Sequence, residues 1–469
     1  MIGTLLIAPL VLSAVLILAR SPLLNRLAIL AYAVLHMGLS VALYWRPESF
    51  LSYFMTDDLN ILFLLILSVL NAGVAVYSLD FLREESISKK WNTYYAVFLL
   101  LFVFSLTGAI LSAHLGLFWV FMEATTLTSA PLVFFYGQKS SLEATWKYIF
   151  ICSIGISLAF VGIVLLSMGQ TKLTDSLFFA DLYRNVDKLA PFWLKISFPF
   201  ILIGFGTKMG LAPVHAWLPD AHSEAPSPIS ALLSGTLLNA AFLGILRIYK
   251  MIEISRLHSE MATLLLLMGF LSLFVSAIFI LKVNNFKRML AYSSIENMGI
   301  LLIGIGVGGV GLWAAMLHLL AHSLSKASFF LTSGNILHLY QTKNIDGVKG
   351  LLQKDKWSGW LWIGCFLSIV GFPPFPIFLS KFFLLTALLS KGYYFLAAIF
   401  VLLLTVILFG MGRSVLSMSC GECNVPTSGY RLSYCALVPQ IVFMIILVWI
   451  GIAMPDVLNE LLRRSVLLL

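Results

Sequence analysis

The chain has 469 residues, of which 60% are hydrophobic and only 11% charged, and its mean hydropathy is +0.98. Average soluble domains carry about 25% charged residues, so this composition excludes a soluble globule. The formal charge of +9 comes from basic loops between apolar runs, and nothing interleaves basic with aromatic residues as a nucleic-acid surface would.

At ~20 apolar residues per crossing, the sequence predicts an all-α, polytopic membrane protein with about fourteen spans. In chain order these are 4–19, 26–44, 59–79, 93–113, 114–136, 145–168, 196–214, 228–248, 261–281, 288–308, 311–339, 357–389 (long, and broken at its prolines), 392–412 and 432–453. No connection is long enough for a second domain, so residues 1–469 form one transmembrane domain. The first span has no basic residue before it and no small-x-small cleavage pattern, and is expected to be a retained helix, not a signal peptide. With the N-terminus outside, sixteen lysines and arginines fall in inner loops, eleven in outer loops and three within the membrane, which accounts for all thirty. The short loop from Lys282 to Arg288 carries this bias clearly, so both termini are expected on the outer side of a prokaryotic cytoplasmic membrane.

Charges inside apolar runs are the informative departures. Glu123, Lys208, Lys326 and Lys381 lie at membrane depth, where a charged residue costs roughly 2.5–3.5 kcal/mol on insertion scales. Two of the lysines stand beside helix breakers. Pro213 follows Lys208, and Pro373, Pro374 and Pro376 precede Lys381. A missing amide donor frees carbonyls that lipid cannot satisfy, so both breaks are expected to line a wet cavity.

Glu123 is the lone charge in Leu115 to Val133. With Lys208 it forms either a pair that trades a proton as their separation changes or a structural ion pair that locks two helices. Downstream, His215, Asp220, His222 and Glu224 cluster in V-H-A-W-L-P-D-A-H-S-E-A-P-S-P, expected to be an inner loop. Those residue types could bind metal, but the prolines and Trp217 favour a rigid, packed connection. Glu296, near the inner end of its span, is a proton uptake group or an interfacial acid.

His318, His322 and Lys326 recur at i, i+4 and i+8 and share one helix face. A proton wire is the leading reading of that face; helix-packing hydrogen bonds and a two-histidine metal site are the alternatives, the latter without an H-E-x-x-H pattern or an obvious third ligand. The same helix is unusually polar, with Ser323, Ser325, Ser328, Thr332, Ser333 and Asn335.

Of five cysteines only Cys420 and Cys423 are close. A lone C-x-x-C could hold a metal or a redox disulfide, yet a closed zinc site needs four ligands. With no C-x-x-C-H, no four-cysteine set and no G-x-G-x-x-G after a strand, no haem, iron–sulfur cluster or nucleotide is expected on this chain.

These residues also carry a resemblance. G-F-G-T-K-M-G-L-A-P-V-H-A-W-L-P-D-A-H-S-E-A-P-S-P-I-S-A-L-L-S-G (204–235), K-R-M-L-A-Y-S-S-I-E-N-M-G (287–299), H-L-L-A-H-S-L-S-K-A-S-F-F-L-T-S-G-N (318–335) and G-F-P-P-F-P-I-F-L-S-K-F (371–382) resemble the antiporter-like, proton-translocating membrane subunits of respiratory complex I, Mrp antiporters and group 4 NiFe hydrogenases. S-P-I-S-A-L-L-S-G and A-Y-S-S-I-E are most similar to the F subunit of hydrogenase-4 and formate hydrogenlyase-type complexes.

The resemblance implies two inverted five-helix repeats, each with a broken helix, at 93–250 and 260–412, flanked by spans 1–3 within 1–92 and a final span at 432–453. It implies roles: Glu123 as acidic partner, Lys208 as pumping lysine, His322 and Lys326 as central relay with His318 on the same face, and Lys381 as exit-side group. Glu296, His215 and His222 are candidates for uptake or connection. Asn239 stands where such subunits often have a lysine or histidine; it holds no proton, so that passage is expected to use water.

The function implied is a non-redox, ion-moving subunit of an oxidoreductase complex. Other antiporter-like and quinone- or hydrogenase-anchor membrane subunits would be its partners, and a redox arm with iron–sulfur clusters and a NiFe centre would drive it. The alternative is an Mrp-type subunit that exchanges sodium for protons without redox chemistry.

The orientation is directly testable. Cysteine labelling at a residue added near Lys349 is expected to need inner-side access, and labelling near Arg184 outer-side access; the reverse pattern would invert the assignment.

Overall fold

The computed structural model describes residues 1–83, 87–169, 176–422 and 432–469. Apart from the hairpin of Ser49–Phe50 with Phe54–Met55, its regular structure is helical. Lipid offers no partner for backbone N–H and C=O groups, and a helix satisfies them within one segment. Among the described residues, eleven helices are long and apolar enough to cross a bilayer, and they coincide with the first ten predicted spans and the thirteenth.

The other three predicted spans depart from a plain apolar rod for identifiable reasons. Val310–Tyr340 has 31 residues, about 46 Å at 1.5 Å per residue, but its histidines, serines and lysine make it too polar. The twelfth span divides into Lys356–Val370 and Pro376–Ser390. The last, Val438–Ile452, is short and turns by 79° into Asp456–Leu467.

The two breaks share one construction. Pro191–Met209 ends at Gly210 (φ 79°) and Lys356–Val370 ends at Gly371 (φ 93°), a left-handed conformation open to glycine without penalty. In both, the residue after the glycine donates its N–H back across the turn, Leu211 to the Gly206 carbonyl at 2.9 Å and Phe372 to the Leu367 carbonyl at 2.9 Å, the Schellman closure. A cis X-Pro bond follows each, at Ala212–Pro213 and Pro373–Pro374.

Two expectations need correction. The stretch 215–224 was expected to be a loop, but it contains the helix Trp217–Glu224, in which Trp217, Leu218, Ala221 and His222 are buried. Its apolar face packs against Lys139–Met168 and Phe286–Val307, so it is the second half of the broken span.

The loop assignment also fails for Lys287, which is 1% exposed, and Arg247, at the end of the eighth predicted span, is likewise buried at 3%. Lys287 curls inward to the Ala225 carbonyl at 2.5 Å. Arg247 pairs with Asp57 at 2.7 Å, and Asp57 also caps Asp58–Phe81 through the Asn60 N–H at 2.8 Å. Burial pushes the Asp57 carboxyl up, but the Arg247 guanidinium and these hydrogen bonds outweigh it and hold the group below the usual range. This cross-link fixes one end of the Ser227–Ile254 bundle helix, which is buried along its length.

Val310–Tyr340 is the hub. It packs against Ser227–Leu232, Phe286–Val307, Lys356–Val370, Pro376–Ser390 and Val438–Ile452, so its polar face lies inside protein.

Candidate functional site

Lys208 occupies the last turn before the first break and is completely buried. Its ammonium donates to the Thr125 hydroxyl at 3.1 Å and the Thr126 hydroxyl at 2.5 Å and lies 5.4 Å from the centre of the Tyr148 ring. The expected direct contact with Glu123 is not made. Glu123 accepts from Ser153 at 2.8 Å and from Thr126 at 3.5 Å, so Thr126 bridges ammonium and carboxylate. Thr125 and Thr126, two and three positions after Glu123, fill the space between helices, which keeps the charges one hydroxyl apart.

The second break treats its lysine differently. Lys381, one turn into Pro376–Ser390, reaches back to the carbonyls of Val370 at 3.1 Å and Ile369 at 3.4 Å, groups that lose their helical partners where Lys356–Val370 stops. The negative end of that half-helix dipole favours an ammonium there. Glu296 completes the site with an ion pair at 3.1 Å. Glu296 is 2% exposed, which argues against the interfacial-acid alternative of its two readings.

Between these sites runs the polar face of Val310–Tyr340. His318 contacts the Ser380 hydroxyl at 2.8 Å through Nδ1 and the Asn297 side-chain oxygen at 2.9 Å through Nε2, next in sequence to Lys381 and Glu296 respectively. His322, one turn on, is fully buried and neither ring nitrogen has a protein partner. Lys326 donates to the Leu290 carbonyl at 2.6 Å and lies within electrostatic reach of Glu296 and Lys381. Toward the first half, Asn239 donates to the Ser323 hydroxyl at 2.7 Å and the Gly235 carbonyl at 2.6 Å, beside a π-helical turn at Leu233–Leu237, a distortion that frees backbone groups and recurs at functional sites.

The histidine–acid cluster does not converge on one point. Asp220 pairs with Lys147 at 3.0 Å and with Arg288, Glu224 pairs with Lys343 at 3.0 Å, His215 is half-buried near the Tyr292 ring, and His222 stacks on Phe330. Among the described residues, no three His, Cys, Asp or Glu groups come together as a metal site. Cys420 is exposed, and Cys423 lies outside the described residues.

Sequence reasoning missed Thr125, Thr126, Asn297, Ser380, Arg247 and Lys287. The first four are immediate or close neighbours of charges it did select, a usable signal. Lys287, adjacent to Arg288 at a span boundary, carries no such signal.

This geometry, two broken helices with buried lysines joined by a histidine-bearing helix, defines an antiporter-like membrane subunit, and comparison with known proteins agrees. Residues 112–407 match the NADH:quinone oxidoreductase/Mrp antiporter transmembrane family, and the chain belongs to that family. It is 35% identical over 393 residues to a hydrogenase-4 component F homolog of Methylacidiphilum infernorum, covering 82% of each. It is 31% identical to hydrogenase-4 component B of Escherichia coli, over 76% of this chain and 54% of that one. A chain of the Mrp complex from Dietzia sp. has the same fold, with a TM-score of 0.87, 19% identity and coverage of 99% and 97%.

If Thr126 holds Lys208, Thr126→Val will destabilise the subunit by about 1–3 kcal/mol, the usual worth of a hydrogen bond to a charge. The effect is expected to disappear in a Lys208→Met background. Thermal unfolding of the purified complex across this double-mutant cycle measures the coupling; strict additivity would show that the hydroxyl does not hold the ammonium.

Proposed function

We propose that this chain is the non-redox, proton-translocating subunit of a hydrogenase-4-type complex in a prokaryotic cytoplasmic membrane, with both termini outside. The observation that carries this reading is the placement of a buried lysine at each helix break, with the polar face of Val310–Tyr340 between them. Identity to the hydrogenase-4 component F homolog supports a redox-driven partner arm, in which iron–sulfur clusters and a NiFe centre lie on other subunits and none on this chain. The repeated Schellman–proline break supports the division into inverted repeats at 93–250 and 260–412.

In this mechanism Lys208 and Glu123 hold the proton of the first half, and Lys381 and Glu296 that of the second. Changing the charge of either member of a pair alters its partner's affinity for protons, because coupled groups titrate together. Separating Lys381 from Glu296 while the Ile369 and Val370 carbonyls still hold the ammonium changes the carboxylate's field without moving the backbone. His318 and His322 relay along the central helix to Lys326, and imidazole suits this role because it can accept a proton at one nitrogen and release another at its opposite nitrogen. Asn239 holds no proton; it orients Ser323, and water completes the connection.

Lys208→Ala and Lys381→Ala are expected to assemble yet abolish the proton gradient formed during redox turnover, read as pH-dye quenching in proteoliposomes containing the whole complex. Lys208→Arg is expected to fail as well, since guanidinium does not deprotonate near neutrality. Normal quenching by both alanine variants would mean that the lysines only tie helices together. The same assay in sodium-free buffer separates proton from sodium transport.

A further inference from the structure

Lys287 and His222 are two buried titratable groups that the relay above does not use. Lys287 lies in the first turn of Phe286–Val307, at the membrane boundary, where a lysine ordinarily extends to water. Here it is 1% exposed, and its hydrogen bond is to the Ala225 carbonyl at 2.5 Å, the residue that closes Trp217–Glu224. His222, on that short helix, is fully buried, and neither ring nitrogen has a protein partner. Buried polar groups are nearly always satisfied, so both nitrogens call for an explanation.

Their surroundings are graded from water to the central helix. Outermost is the ion pair of Glu224 with Lys343 at 3.0 Å, whose side chains are 14% and 25% exposed. Lys343 also lines a cavity of about 460 Å³ together with Asp80, Ser227 and Asn335, so water reaches this layer. Asp220 and Arg288 form a second exposed pair on the same face. Next come Lys287 and His222, and His222 lies within electrostatic reach of both Lys287 and Lys326. The Phe330 ring contacts both groups: His222 stacks on it with centroids 4.9 Å apart and planes 16° apart, and the Lys326 ammonium is 5.9 Å from its centre.

We propose that Lys287 and His222 form a proton inlet from the Glu224–Lys343 face to Lys326, with Phe330 as the apolar valve. A proton delivered from the cavity rests on His222. When the Phe330 ring swings aside, an N–H bond of the imidazolium breaks and one forms on a neutral Lys326 amine, with no change in electron count. With the ring in place no water joins the two groups, so the resting subunit does not leak. Lys287 sets the field at His222 and passes its proton to the neutral imidazole, one N–H bond breaking on the ammonium as one forms on the ring, and the lysine amine then takes up a proton from the water of the cavity beside Glu224 and Lys343. This inference rests on Lys326 belonging to the relay.

The test uses the whole complex in proteoliposomes, with assembly checked for every variant. His222→Gln preserves a polar, buried side chain and is expected to lower pumping per turnover at least about tenfold, the low end of what a positioned acid–base group contributes. Lys287→Arg keeps both the charge and the hydrogen bond to Ala225, so it is expected to assemble; it loses pumping if Lys287 must release a proton and retains it if Lys287 is only a tie. Phe330→Ala is expected to raise passive proton leak in the absence of turnover several-fold, while Phe330→Leu stays tight. Wild-type behaviour in any one of His222→Gln, Lys287→Arg or Phe330→Ala overturns the inlet as drawn. Lys326→Met separates the two levels: if it pumps normally, the relay and the inlet fall together, whereas loss of pumping in Lys326→Met beside normal pumping in His222→Gln removes the inlet alone.

Discussion

An ammonium inside a bilayer must be surrounded by oxygen, and the architecture follows from where those oxygens come from. Unbroken helices offer few, because each carbonyl is already committed to its own ladder; Lys326 shares one such carbonyl, that of Leu290 in Phe286–Val307. The two Gly–Pro breaks supply what helices withhold. At the second break the freed carbonyls of Ile369 and Val370 face the Lys381 ammonium directly. At the first, the Thr207 carbonyl is taken by the Trp217 indole at 2.8 Å, and Lys208 turns instead to hydroxyls on the neighbouring helix.

That difference gives the two halves unlike electrostatics within one plan. Lys381 and Glu296 form a closed, hydrogen-bonded pair, whereas Lys208 and Glu123 are separated by the Thr126 hydroxyl. A direct buried pair is strongly coupled, and loss of one member leaves a costly lone charge. A bridged pair couples less and tolerates the loss better. The halves therefore couple their charges with different strength, and the central helix lies between a hydroxyl-bridged pair and a direct one. His318 is locked by Ser380 and Asn297 while His322 is free of protein partners, so the same gradation continues along that helix.

Much of this was legible in the sequence because the cost of burying charge makes exceptions conspicuous. Glu123, Lys208, Lys326 and Lys381 stand out against apolar neighbours, the i, i+4, i+8 spacing of His318, His322 and Lys326 places them on one face, and the prolines locate both breaks. Partnership was not legible, since it depends on which helices meet. Glu296, near a span end, reads as either an uptake group or an interfacial acid, and only the packing of Phe286–Val307 on Pro376–Ser390 brings it to Lys381. The burial of Lys287 and Arg247 is not legible, because side chains at span ends can point to water or fold inward, and hydropathy is blind to the choice. The helix Trp217–Glu224 was read as a loop because its polar composition hides an apolar face two turns long.

The central claim is that the Lys381–Glu296 pair is kept for proton movement at the expense of stability. Buried ion pairs replaced on both sides by uncharged groups of similar size are often neutral or stabilising by about 1–4 kcal/mol. The direct measurement is therefore thermal stability and pH-dye quenching on the same preparation of the Lys381→Met, Glu296→Gln double variant of the whole complex. The account predicts an assembled complex at least as stable as the native one that forms no proton gradient during turnover; a variant that still pumps, or one whose stability collapses as if a structural clasp had been removed, would contradict it.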